Sequence, residues 1–363
     1  MAKLEFTATQ PGSDPTLKAI DEAVQAKANA EEPRPYLGMS GIGHPCLRKS
    51  WYDFHWCSPK KLKAETQYKF DDGNAGEALM AARLRMVKGI ELQTHDWDGM
   101  QFGFADIHGH FKGHLDGAIK GLLQAPKTPH VWEHKQVEDA KQAKLEKLVA
   151  QNEKEALKQW DIIYYAQAIL YMFYSELTRH YLTCSSPGGR RTISVRTDAS
   201  KKAAETLIKK AEHIIASDVP VDRMTNDPAH FMCKSFCDHA DLCHLTAAPK
   251  VNCRTCAHSS PVMEGEAGDW YCKVHGDKIP TDFQRTGCDR HIYNPALLVN
   301  IGEPQKGSDE QVEYINKTNG KPFANGIDGY SSHEIHAADD KRVIGADEVE
   351  AIKKHFPGSR VVG

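Results

Sequence analysis

Residues 113–137 read "GHLDGAIKGLLQAPKTPHVWEHKQV", and the reading of this stretch decides what the rest of the chain is built around. "GHLDGAI" and "HVWEHKQV" have strand character, and "QAPKTP" between them is a turn. Side chains alternate along a strand, so Val131, Glu133, Lys135 and Val137 share one face while Trp132, His134 and Gln136 share the other. Antiparallel pairing of the two strands brings Asp116 beside Glu133. Two adjacent carboxylates repel unless a divalent cation sits between them, and oxygen donors select Mg2+ or Mn2+. Such a cation lowers the pKa of a bound water and offsets charge on a phosphate. The Lys135 ammonium, two residues along, then orients or deprotonates that water and steadies the oxyanion. The bland alternative is a turn aspartate next to a solvated strand face, because a Glu-x-Lys this short recurs by chance.

Bulk properties limit the alternatives. The 363 residues are 40% apolar and 26% charged, an ordinary globular composition that excludes a disordered chain. We find no run of about 18 apolar residues and no apolar signal core in "MAKLEFTATQPGSDP", so a cytosolic protein without a membrane partner is expected. A net charge of −3 argues against a passive nucleic-acid coat but not against an enzyme whose carboxylates offset its local cations. Ten cysteines in a reducing compartment point to metal ligands over disulfides.

The chain order is helix, sheet, helix, sheet, helix, which predicts an α/β sandwich. Residues 14–31 read as a helix with Asp14 as N-cap and Pro15 at its first position, inside an N-terminal extension of residues 1–36. "DDGNAGEALMAARLRMVKG" reads as a helix entered through a glycine turn, and Leu92 to Val137 as short strands. From Ala140 to about Leu177 the pattern is helical, first charged and then apolar and aromatic. "HYLTCS" and "TISVRT" are strands, and "ASKKAAETLIKKAEHIIASD" is an amphipathic helix. A core over 37–248, a cysteine-rich module over 249–294 and a small β-rich accessory region over 295–363 complete the expected organisation.

In this order the motifs resemble the PD-(D/E)XK nuclease superfamily, and within it the RecB-like exonucleases, over roughly residues 37–245. "GHLDG" matches the family's aspartate motif at Asp116, and "WEHK" matches its second acid and lysine at Glu133 and Lys135. "QAILY" matches its Gln-x-x-x-Tyr element at Gln167 and Tyr171, four apart on one helical face, which in the family help position DNA and the lysine. "DDGNAGEAL" occupies the place of the first motif, with Glu77 where many RecB-like members have histidine, as in phage recombination relatives. The resemblance implies a restriction-endonuclease-like core, a mixed sheet flanked by helices. It also implies a metal shell of Asp116, Glu133, the His134 backbone carbonyl and, as a third or second-metal ligand, Glu77. His110 and His114 are expected to be partly exposed strand histidines, with a phosphate contact conceivable at His114.

"CKSFCDHADLC" places Cys233, Cys237 and Cys243 just after the last helix of the core, and Cys46 is the candidate fourth thiolate. The resemblance extends to members, including AddB-type subunits and CRISPR-associated adaptation nucleases, that carry one cysteine before the core and three after it around a [4Fe–4S] cluster. Here the spacing is Cys-x3-Cys where Cys-x2-Cys is usual. Zinc held by the three cysteines with Cys46 or with His239 or His244 is the rival. Farther on, Cys253 and Cys256 form a Cys-x2-Cys hook, and with Cys272 and Cys288 they suit a structural zinc, with His275 or His291 as possible substitutes. Cys57 and Cys184 read as structural.

The expected activity is a Mg2+- or Mn2+-dependent DNA exonuclease serving recombination, repair or replication of a phage-like element. A structure-specific endonuclease and a noncatalytic nucleic-acid-binding metalloprotein are the alternatives. No Walker-type loop is present, so any unwinding falls to a helicase or single-strand annealing or binding partner. "LRKSWYDFHW" at 47–56 reads either as an aromatic helix packed under the cysteines or as a base-stacking surface. Arg190 and Arg191 top a hairpin where they are solvated or touch phosphate.

Overall fold

The computed structural model describes residues 14–60 and 62–362; the first thirteen residues of the expected N-terminal extension lie outside them. The chain is mixed α/β, with eleven helices and four sheets among the described residues. Helix α1 (Pro15–Ala30) begins as its sequence requires, with the Asp14 carboxylate accepting from the Thr16 amide at 2.8 Å and Pro15 at the first position. Then follow β1 (Leu37–Gly38), α2 (Leu47–Phe54), α3 (Ala64–Arg85), β2 (Glu91–Gln93), β3 (Gly103–Asp106), β4 (Phe111–His114), β5 (Gly117–Lys120) and β6 (His130–Gln136). Helices α4 (Asp139–Trp160) and α5 (Ile162–Tyr174) lead to β7 (Arg179–Ser185), β8 (Thr192–Asp198) and α6 (Lys201–Ala216).

A five-stranded mixed sheet in the order β2-β5-β6-β7-β8 organises this part. Strand β6 sits at its centre, antiparallel to β5 and parallel to β7. Helix α3 covers one face, where Met80, Ala81 and Leu84 pack on Trp132 and Ile119. Helix α4 covers the other, with Leu145, Leu157 and Trp160 against Leu182 and Val195. The largest core joins α2, α5, α6 and β4 through Trp51, Phe54, Phe111, Leu170 and Ile214. Among the described residues no helix is long and apolar enough to cross a membrane.

Two expectations need correction, the glycine turn and the exposure of His110. Helix α3 runs straight through "DDGNAGEAL" with no glycine turn. Gly76 stands inside it because a Cβ there would come within 2.3 Å of the Gln136 side chain on β6, so glycine permits the helix to approach the sheet. The helical stretch from Ala140 divides, as its change from charged to apolar suggests, and Asn152 at φ −161° and ψ 99° adds a kink within α4. Asp161 leaves helical geometry at φ −155° and ψ 108° and caps α5, accepting from Ile163 and Tyr164 amides. His110 is fully buried, not partly exposed, its ring hydrogen-bonding the Val262 carbonyl at 3.0 Å; His114 is exposed.

Two short helices, α7 (Phe231–Phe236) and α8 (Ala240–His244), carry the first cysteine run. The cysteine-rich stretch holds a small antiparallel sheet of β9 (Ser259–Pro261), β10 (Trp270–Cys272) and β11 (Asp277–Ile279), and sends Trp270 into the largest core. Val251, Ile292 and Tyr293 from its two ends pack instead with the C-terminal region. That region is an antiparallel sheet of β12 (Gly302–Gly307), β13 (Gln311–Asn316) and β14 (Pro322–Gly326), with Tyr314 and Phe323 stacked 5.0 Å apart. Arg254, inside the Cys-x2-Cys hook, is 2% exposed and ties the hook to the core. Its guanidinium lies 3.8 Å from the Trp56 ring centroid and donates to the Pro35 and Phe54 carbonyls and to Gln284.

Candidate active site

The ladder between β5 and β6 pairs Gly117 with Trp132, so one step further along it Asp116 stands opposite Glu133. Asp116 Oδ2 accepts the His134 amide at 3.0 Å, which anchors the aspartate at the point where β4 gives way to β5. Glu133 is 3% exposed and Lys135 bonds it directly, both on the same face of β6 as the alternation requires. From α5, Gln167 donates to the same Glu133 oxygen, Oε1, at 2.8 Å. The other oxygen, Oε2, is buried without a protein partner. A buried carboxylate oxygen held without a donor is the position a cation takes, so the residues fit a divalent metal.

The electrostatics agree with that fit. Burial first, and Asp116 second, push the Glu133 carboxyl up to about 8, while Lys135 opposes the shift. Burial alone would lower Lys135, but Glu133 and Asp116 outweigh it and hold the ammonium above the ordinary lysine range. Its Nζ also lies 5.3 Å from the Tyr164 ring centroid. Glu77 is half-buried on α3, which packs on the opposite face of β6. Burial and Asp116 raise it to about 7, with Lys135 opposing, so it lies within the field of the site. The raised carboxyls hold protons where positive charge is favoured, and a divalent cation would bind there by displacing them.

The His134 ring points to the other face, between Thr183 Oγ1 at 3.0 Å and Ser185 Oγ at 3.1 Å, and burial lowers it to about 4. Tyr171 is 1% exposed, hydrogen-bonded to Gln167 and packed on Phe104. It supports Gln167 from within the core and presents no surface to a ligand. Tyr164, whose ring faces Lys135, carries no sequence signal beyond its place one turn before Gln167.

The structure brings each cysteine set together. Cys46, at the start of α2, lines one pocket with Cys233, Cys237 and Cys243, beside the cations of Arg48 and Lys49. His239 faces away to Asp53 Oδ1 at 2.9 Å, whereas His244 lines the pocket. Cys253, Cys256, Cys272 and Cys288 line a cavity of about 370 Å³. His275 Nε2 reaches Cys288 at 3.7 Å, while the His291 ring is taken up by Ser332 and the Asn252 carbonyl. Burial raises Cys237 and Cys256 to about 11, so these thiols stay protonated until a cation displaces the protons. As the side chains lie, no three His, Cys, Asp or Glu among the described residues form a ready ligand shell. Both sets are neighbourhoods of thiol donors, chemically suited to a thiolate-bound metal.

The aromatic residues of 47–56 form a core: Trp51, Tyr52, Phe54 and Trp56 are at most 5% exposed, which removes the base-stacking alternative. Arg191 is paired with Glu146 at 2.8 Å.

No family profile and no curated protein matches the chain. Solved structures do align with it. The crystal structure of SSO0001 is 14% identical, with a TM-score of 0.38, covering 63% of this chain and 95% of that one. An alkaline exonuclease, LHK-Exo, from Laribacter hongkongensis is 12% identical, with a TM-score of 0.32, covering 54% of this chain and 91% of its own. The same exonuclease in complex with dAMP aligns at 11% identity and a TM-score of 0.35 over the same shares. These scores are low, and the functional reading rests on the side chains.

Proposed function

We propose that the chain is a divalent-metal-dependent DNA nuclease of the PD-(D/E)XK superfamily, acting as a RecB-like exonuclease. The observation that carries this reading is the meeting of Asp116, Glu133 and Lys135 at one bend of the sheet with Glu133 Oε2 left free. Asp116 and Glu133, assisted by Glu77 and the His134 carbonyl, would hold Mg2+ or Mn2+. When bound, that cation supplies an activated water and offsets phosphate charge. Lys135 keeps an ammonium at the site to orient the attacking water and to balance charge on the phosphate oxygens. Gln167 fixes the rotation of the Glu133 carboxylate so that Oε2 faces the ligand position, and Tyr171 fixes Gln167. A role in recombination, repair or replication of a phage-like element, with a helicase or single-strand annealing or binding protein as partner, accords with a chain that shows no ATP-binding loop.

For the cysteines we propose a [4Fe–4S] cluster, or zinc by the same donors, at Cys46, Cys233, Cys237 and Cys243, joining the two ends of the core. A structural Zn2+ is assigned to Cys253, Cys256, Cys272 and Cys288. Anaerobic purification with metal analysis tests both: iron and sulfide near four each, with one zinc, support the assignments, and a protein free of both metals contradicts them. Incubation with Mg2+ and end-labelled DNA tests the activity. Progressive shortening of linear DNA with closed circles untouched identifies an exonuclease; cleavage of the circles identifies an endonuclease instead.

A further inference from the structure

The corner between α4 and α5 brings a second lysine beside the carboxylate site. Lys135, bonded to Glu133, points its ammonium at the Tyr164 ring, 5.3 Å from the centroid. From the first turn of α4, Lys141 approaches the same ring, with its Nζ 4.7 Å from the centroid. Two ammonium groups thus meet one phenol ring, and one of them also touches Glu133.

The corner is held from several directions. Asp161 Oδ2 accepts from the Lys141 ammonium at 2.7 Å, and Oδ1 accepts the Ile163 and Tyr164 amides at 3.0 and 3.3 Å, so one side chain fixes both residues. Trp160, 5% exposed, donates its indole N–H to the Lys141 carbonyl at 2.8 Å and packs 5.5 Å from the Tyr164 ring. Only the polar ends stay open. The Lys141 side chain is 40% exposed and Tyr164 is half-buried, and among the described residues no group hydrogen-bonds the Tyr164 hydroxyl. An ammonium carries three donors, and Asp161 takes one of those on Lys141. The others, with the phenol O–H, are anchored donors facing solvent next to Lys135, and an oxyanion is the complementary ligand. A nucleic-acid strand brings one phosphate per nucleotide. When its scissile phosphate lies at Asp116 and Glu133, the neighbouring phosphate is the oxyanion within reach of the second lysine.

We propose that Lys141 and Tyr164 are substrate-binding residues that hold the DNA phosphate adjacent to the one cleaved. The proposal rests on the nuclease reading for its ligand. The test uses the full chain and an internally fluorescein-labelled single-stranded oligonucleotide, bound in Ca2+ at several KCl concentrations and read by anisotropy. Cleavage of the same strand in Mg2+ is followed in parallel. Lys141→Met is expected to weaken binding and raise KM at least about tenfold, the low end for a hydrogen bond to a charged group, with kcat little changed. Its plot of log affinity against log salt should be shallower by about 0.7, one phosphate contact on a single strand, whereas Lys141→Arg should keep the slope. Tyr164→Phe retains the ring and should raise KM with the slope unchanged. A neutral methylphosphonate at the second linkage from each end should weaken binding by wild type and weaken Lys141→Met no further, a readout that a purely structural role at this corner does not move. Variants that match wild type in affinity, slope and KM overturn the proposal, as does a methylphosphonate loss equal in wild type and Lys141→Met; with wild-type cleavage intact, either result leaves the nuclease reading standing. Lys141-dependent sensitivity to the methylphosphonate without any cleavage by wild type supports the phosphate site and sinks the nuclease reading.

Discussion

Replacing Gln167 by methionine isolates how far the site depends on the fixed rotation of one carboxylate. Methionine matches the length of glutamine and suits a position only 6% exposed, so packing is largely kept while the 2.8 Å donor to Glu133 Oε1 is lost. Lys135 remains on Oε1, but a single contact no longer fixes the tilt of the carboxylate plane, so the free oxygen is held less firmly toward the ligand position. A hydrogen bond to a charged group is worth about 1.5–3 kcal/mol, which corresponds to roughly a 10- to 150-fold loss in equilibrium. Loss of a residue that orients a metal ligand has comparable consequences, about 10- to 100-fold in metal affinity or rate. Calorimetric Mn2+ titration of wild type and variant at pH 8, with circular dichroism to confirm the fold, measures this directly. A folded variant whose Mn2+ affinity and cleavage rate stay within about twofold of wild type would refute the positioning role, since the lower bound above is about tenfold.

The remaining predictions concern protons and thiols. With Glu77 raised to about 7 and Glu133 to about 8, protons compete with the cation at neutral pH. The Mg2+ concentration for half-maximal cleavage should therefore fall as pH rises from about 6 to 9, with proton release on binding, and a flat profile would contradict this. Burial holds His55 and His180 neutral, near 3 in the folded chain against 6.5 unfolded. A basic group buried neutral costs nothing above about 6.5 and destabilises the fold increasingly as pH falls from there toward 3, by about 2 kcal/mol each at pH 5. Because the raised Glu133 and Glu77 carboxyls shift stability the other way over this range, the check compares variants: the change in urea midpoint between pH 7 and pH 5 should turn toward stabilisation in His180→Gln relative to wild type, and an identical pH dependence would show that this ring is not buried neutral. Cys253→Ser should remove the bound zinc and lower Tm, measured by atomic emission and calorimetry, and full retention of zinc would exclude this cysteine as a ligand.

Much of the site is legible because it depends on local alternation. The shared face of Glu133 and Lys135 follows from strand geometry, and the hairpin around Asp116 follows from two strands and one turn. The spacing of Gln167 and Tyr171 places both on one side of α5, but spacing does not tell that Tyr171 is enclosed in the core while Gln167 reaches Glu133. The kink at Asn152 within α4 has no sequence signal, because an asparagine also serves as a polar residue on a helix surface. Gly76 reads as a turn until the approach of Gln136 is known. Arg254 is the clearest case of tertiary context overriding composition. A guanidinium in a polar segment is expected in water, yet two tryptophans and three acceptors enclose it. The same holds for Trp97, which is fully exposed against its hydrophobicity.

The most direct test is the rate of nucleotide release from linear DNA in saturating Mg2+ or Mn2+ by wild type, Glu133→Gln and Lys135→Met, each confirmed folded. Metal-dependent release by wild type that falls by at least about a hundredfold in both variants is the predicted result, since each removes charge from the reacting centre. Absence of metal-dependent cleavage by wild type, or variants as active as wild type, would contradict the account and return Asp116, Glu133 and Lys135 to a structural role.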